Sequence, residues 1–354
     1  MIELSFIFFQ TLFFFFIYSI NLLIDFKKYQ QLPCIEVISL NFLLHSNLIL
    51  ILSIFNLNIS EIIFLYIGTV FVIFLFFFKK NISIFFKLKN KNIIFLLYLL
   101  ILSFIIMVEI GNNLYISWDA EGFWLNKTIN FYENNRIESL NKLANSHYPF
   151  FGAVLNATYW KLSFIKSEYS GRLIFAFIFS LSILNLVDSM LLTKISKSII
   201  FFLILILTYD YELLFTGNQE ILIFSLICIA MKNLYQIKSN KDFSFYRIFS
   251  ILLVCNLLIW TKQEGVFYAI FLIICFFSFK NFNLTKKFIY LFFVLTLIFI
   301  RLFVFKYYNF EITLNKSVLY DQSISNLLSK LSFDRFEVLI KYFILSFFKN
   351  YFFY

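Results

Sequence analysis

Asp119 and Glu121 stand two residues apart between Trp118 and Trp124, in the run Tyr115-Ile-Ser-Trp-Asp-Ala-Glu-Gly-Phe-Trp124. On a loop or extended segment, residues so spaced point the same way, so both carboxylates can address one ligand or one metal ion. Trp118, Phe123 and Trp124 offer flat faces for stacking on a sugar, and equally an aromatic belt that anchors the segment at a membrane surface. Lying just past an apolar run, the cluster can meet a lipid headgroup and a water-borne molecule at once. The plainer reading is a pair of solvated loop acids.

The elements that must position this cluster are membrane helices. The 354-residue chain is 61% hydrophobic and 14% charged, with a mean hydropathy of +0.85, and apolar runs near 20 residues recur along it. A water-soluble domain of this size does not have that composition. The expected fold class is all-α: a polytopic helical bundle with spans over 3–24, 33–55, 61–78, 93–110, 171–192, 198–215, 219–236, 246–260, 265–280, 285–305 and 336–354. No Lys or Arg precedes the first apolar run and no A-x-A pattern follows it, so that run reads as an anchor rather than a cleaved signal.

Alternating the loops between two sides separates the charge. The side holding Lys27, Lys79, Lys194, Lys238 and Lys286 collects sixteen Lys and Arg, whereas the short loops of the other side hold only Lys262. Cytoplasmic loops carry the Lys/Arg excess, which places the N-terminus and the long loops 111–170 and 306–335 outside. The net charge of +10 is then a matter of topology and anionic lipid, and calls for no nucleic-acid partner. His147-Tyr-Pro-Phe150 opens an apolar stretch to Lys161; a span there would turn every later basic loop outward, so a juxtamembrane or re-entrant helix is expected.

Other groups are candidates by position. Lys262 has Glu264 two residues on to hold it, or else it simply snorkels. Asp210, Glu212 and Glu220 form a second acidic group facing the same side; Asp119, Glu121 and Glu220 are the candidate ligands of a divalent cation such as Mg or Mn. Arg172 and Asp188 lie near helix ends and read as structural, while Arg301 approaches the outer face. Asn41, Asn185 and Asn256 suit interhelical hydrogen bonds. Cys34, Cys228, Cys255 and Cys275 show no paired spacing and read as apolar filler.

Trp118-Asp-Ala-Glu-Gly-Phe-Trp-Leu-Asn-Lys127 resembles the first external loop of the polytopic GT-C glycosyltransferases, the superfamily of protein mannosyltransferases and lipopolysaccharide sugar transferases. Three further stretches resemble its motifs in order: His147-Tyr-Pro-Phe150, Gly217-Asn-Gln-Glu220 and Thr261-Lys-Gln-Glu-Gly265. The resemblance covers residues 93–290. It implies transfer of a sugar, with inversion, from a polyprenyl-phosphate carrier to a glycan, lipid or protein acceptor at the external face of a bacterial plasma membrane. An inverting transfer needs a carboxylate to take the acceptor proton, for which Asp119 is first choice and Glu121 second. The departing phosphate needs positive charge, from Lys262, Lys127 or Arg301. Trp118, Trp124, His147, Tyr148, Glu220 and Glu264 become supporting or substrate-binding residues.

The organisation that follows is an accessory set of helices in 1–92, a core in 93–305 and, in 306–354, an external loop with a last helix cut short. Two other functions remain open. A flippase or transporter of a lipid-linked saccharide would place its ionisable groups near the bilayer midplane. An O-antigen polymerase or ligase would use an external loop with Arg and His, of which His147 is the only external histidine.

Overall fold

A computed structural model describes residues 4–20, 33–76, 93–143, 145–189, 194–209, 215–240, 245–277 and 284–310. Asp210, Glu212, nearly all of 306–335 and the span 336–354 lie outside the described residues. Twelve α-helices are described: α1 Leu4–Ser19, α2 Cys34–Ile54, α3 Ile59–Phe76, α4 Ile93–Asn112, α5 Asn126–Tyr132, α6 Phe151–Leu162, α7 Tyr169–Ser189, α8 Lys194–Tyr209, α9 Glu220–Asn240, α10 Phe245–Thr261, α11 Gly265–Phe277 and α12 Leu284–Tyr307. No strand occurs among the described residues, and the chain is an all-α membrane protein. Among the described residues six helices are long and apolar enough to cross a bilayer: α2, α3, α4, α7, α9 and α12. The apolar α1, α8, α10 and α11 are shorter.

Lipid tails are as apolar as leucine, so what selects helix neighbours here is close packing and polar contact. A Cβ on Gly171 of α7 would stand 1.9 Å from Asn156 Oδ1 of α6, and one on Gly265 would stand 1.9 Å from the Leu258 carbonyl oxygen. Only glycine admits those approaches. α6 is the stretch expected to be juxtamembrane or re-entrant: it is a helix of 12 residues, and Phe151 through Tyr159 are all buried. The far end of α6 joins a chain of polar groups. His45 Nε2 meets the Ile20 carbonyl at 3.2 Å and so carries the proton; Tyr66 then donates to Nδ1 at 2.8 Å. Tyr159 donates to Tyr66 at 3.4 Å and receives a hydrogen bond from Tyr18. Every hydrogen is used, and α1, α2, α3 and α6 are fastened together.

One expectation is corrected. Phe8 packs on Phe104, and Thr11 donates to Met107 Sδ at 3.2 Å; these positions advance together, so α1 and α4 run parallel. Eleven alternating spans make the first and fourth antiparallel, with both the N-terminus and the loop after α4 outside. The 16 residues of α1 extend about 24 Å, short of the ~30 Å hydrocarbon core, so it need not alternate as a full span does. Residues 1–311 form one compact unit that includes α1–α3.

At the end away from residues 113–168 several charges are paired, while the buried Lys287 of α12 donates to the Phe277 carbonyl at 2.8 Å. Glu36 of α2 forms ion pairs with Lys232 of α9 and, at 3.3 Å, with Arg247 of α10, and Asp188 meets Lys197 at 3.6 Å. The Asn256 amide donates to Asn47 Oδ1 at 2.7 Å across α10 and α2, the interhelical role expected of it.

Candidate functional site

The segment after α4 is helical where a loop was expected. Trp118 and Asp119 open a turn that continues through a π-helical stretch, Ala120–Leu125, into α5. Ala120, Trp124, Lys127, Thr128 and Phe131 are buried, the spacing of one helix face. Residues two apart on a helix do not face each other, so Asp119 and Glu121 diverge. Both are exposed, as is Trp118 at 77%. This corrects the expectation of two carboxylates aimed at one ligand.

Residues 215–219 hold the segment in place. The Ser117 amide donates to the Thr216 carbonyl at 3.1 Å, and its hydroxyl donates to Asn218 Oδ1 at 2.8 Å. Arg172, at the head of α7, pairs with Glu168 at 3.1 Å and donates to the carbonyls of Tyr115 (3.1 Å) and Phe215 (3.3 Å). Its structural role is thus a clamp across both strands of chain. Gly217 has φ +92°, and a Cβ there would approach Ala120 Cβ to 3.0 Å.

Lys262, in the α10–α11 turn, forms an ion pair with Glu220 at the start of α9. Partial burial works against its charge, but the hydrogen bond and charge of Glu220, followed by the charges of Glu264 and Asp119, outweigh it and raise its pKa. The structure therefore brings Asp119, Glu220, Lys262 and Glu264 together, and the lysine is already engaged by acids. Among the described residues no three of His, Cys, Asp and Glu gather to hold a metal ion, so Asp119, Glu121 and Glu220 do not form the set expected of them.

Lys127 has the opposite surroundings. It is 0% exposed and donates to the Tyr148 carbonyl at 2.5 Å, with Nζ 5.8 Å from the centre of the Trp124 ring. Burial, and secondarily the Arg301 guanidinium, push its pKa down to about 7. Arg301, 8% exposed on α12, donates to the Ile259 carbonyl at 2.8 Å and lies over Phe305. His147 is held below its ordinary range by burial and by Lys127, and its Nδ1 is buried without a hydrogen-bond partner. Tyr148 packs against Phe123, Trp124 and His147. Arg301 and His147 thus each lie within electrostatic reach of Lys127, and among the described residues no carboxylate shifts Lys127 or His147.

The sequence singles out these residues but not this division, and nothing in it marks Ser117 or Gln219. The Trp124, Thr128, Phe131 spacing was the available signal for the helical run. No family model, curated protein or solved structure matches the chain.

Proposed function

We propose that the protein is a membrane glycosyltransferase that moves a sugar from a polyprenyl-phosphate carrier to a hydroxyl acceptor, with Asp119 as general base and Lys127 and Arg301 as the phosphate site. One observation carries the reading: two buried cations, without a carboxylate to neutralise them among the described residues, lie at the same end of the bundle as an exposed aspartate. Burying unpaired charge is costly and persists where an anion completes the site. Asp119 and Lys127 are eight positions apart on one helical run, on the order of 10 Å. A sugar phosphate is of that scale.

The reaction that fits has the acceptor oxygen bond to the anomeric carbon as the carbon–oxygen bond to phosphate breaks. The acceptor proton passes to Asp119, and the bonding electron pair leaves on the phosphate, whose negative charge is met by Lys127 and Arg301. Exposed Trp118 offers a stacking face to a sugar ring. Lys262, engaged by Glu220, is placed here as an orienting residue near Asp119 rather than a phosphate ligand. The excess of Lys and Arg in the loops away from this end supports an external site.

The test is to incubate the purified protein with a panel of polyprenyl-phosphate sugars and follow which lipid is consumed. Consumption of one donor, lost in Asp119→Asn and in Lys127→Met at unchanged abundance, supports the reading. Consumption of none, or full activity in Asp119→Asn, sinks it.

A further inference from the structure

Gln219 is 1% exposed, yet its Oε1 has no hydrogen-bond partner and its Nε2 reaches only the Gly217 carbonyl, at 3.5 Å. Shape holds it instead. Gly152, in the first turn of α6, leaves a notch under the carboxamide: a Cβ there would stand 1.5 Å from Oε1 and 2.3 Å from Cδ. α6 is buried from Phe151 to Tyr159, so the notch belongs to a rigid element. On either side of Gln219 are the two residues that tie the site together. Asn218 receives the Ser117 hydroxyl, beside Asp119, and Glu220 pairs with Lys262.

We propose that Gln219, wedged into the Gly152 notch, is a positioning residue that fixes residues 215–220 and, through them, the placement of Asp119 and Lys262. Residues that reach a site from a loop are accurately placed only when a packed second layer locks them. Its activity arm rests on the transferase reading; its geometric arm does not.

Cysteines in place of Ser117 and Asn218, whose side chains meet at 2.8 Å, report the tie when treated with a short bifunctional thiol reagent. The four native cysteines are first replaced by alanine. Gly152→Ala fills the notch and forces the buried Gln219 carboxamide out of it, whereas Gln219→Ala empties the notch without any clash, so the second variant serves if the first fails to fold. Both should cross-link about tenfold more slowly than the parent, and Gln219→Met, which keeps the wedge, at the parental rate. Without the cross-link, kcat for sugar transfer should fall roughly a hundredfold in Gly152→Ala and Gln219→Ala, the scale expected of a small misplacement. Cross-linking should restore it. Parental cross-linking rates in both wedge variants overturn the proposal, as does a cross-linked Gly152→Ala protein that stays inactive while the cross-linked parent works. Loss of transfer in Gln219→Met with the tie intact also overturns it, by making Gln219 a substrate contact. A parent that consumes no donor sinks the transferase reading alone, and the cross-linking series still decides the positioning.

Discussion

Lys127 and Lys262 sit at the same end of one helical bundle and differ in every property that matters for binding an anion. Lys262 is partly exposed, is paired with Glu220 and feels Glu264 and Asp119 besides, so its charge is satisfied before any ligand arrives. Lys127 is buried, with Arg301 as a like-charged neighbour and a backbone carbonyl as its hydrogen-bond acceptor. By position Lys262 is the stronger phosphate candidate, being the lone basic residue in a short loop of its side. Environment reverses the order, because a cation already neutralised has little left to offer a phosphate. The end away from this site makes the same point: Glu36, Lys232 and Arg247 are buried together as partners, which is how a bundle holds charge for structure alone.

The largest effect is expected at Asp119. Asp119→Asn should lower sugar transfer by about 10²–10⁴-fold, the range of general-base catalysis, with abundance unchanged. An activity near the parent's would remove the reason for setting the two lysines against one another. Next comes Lys127→Met, which should raise the donor KM about tenfold to a hundredfold, as for loss of one charged hydrogen bond. Lys262→Met should change donor KM far less; if the two effects are equal, the distinction between the lysines fails.

Glu36→Gln should leave transfer per folded molecule intact but destabilise the fold by about 3–5 kcal/mol, since it strands two buried cations. A lowered thermal midpoint measures it. Loss of specific activity without loss of stability would show that the far cluster is more than structural. Glu121→Gln should be smallest, within about twofold of the parent, because Glu121 points away from Asp119 on the helical run.

Titration separates the lysines further. Lys127 has a folded pKa of about 7, below the ordinary lysine value, so between pH 7 and about 10 the unfolded chain binds the extra proton. Stability linked to Lys127 therefore rises with pH across that window, and its full destabilisation is present below pH 7. Donor affinity should move the other way, falling above pH 7 as the cation is lost. The difference between parent and Lys127→Met in thermal midpoint and in donor KM, each followed from pH 6 to 9, measures both. A parental donor KM that does not rise above pH 7 would show that the Lys127 charge plays no part in donor binding.

Long apolar helices were legible because a bilayer demands about 20 apolar residues per span, a requirement that composition and run length reveal directly. The helix Phe151–Leu162 was legible from Pro149 and the apolar run that follows it. The direction of α1 was not, since a 16-residue apolar helix can pack without crossing, so that Lys27 and Lys28 beyond it need not mark the opposite side. The Trp118–Tyr132 segment read as a loop because Gly122 and its polar neighbours weaken a helical pattern, although Trp124, Thr128 and Phe131 already marked a buried face.

By itself the sequence determined a membrane helical bundle and the chemical types available at one end of it: acids, lysines and aromatics in a particular order. Only the tertiary structure decided how those charges divide. Lys127 and Arg301 are 174 positions apart in the chain, and Lys262 and Glu220 are 42, so whether a cation meets an acid or another cation depends on which helix ends pack together. Hydropathy is a local property of a segment, whereas the electrostatic environment of a buried group is set by everything folded around it.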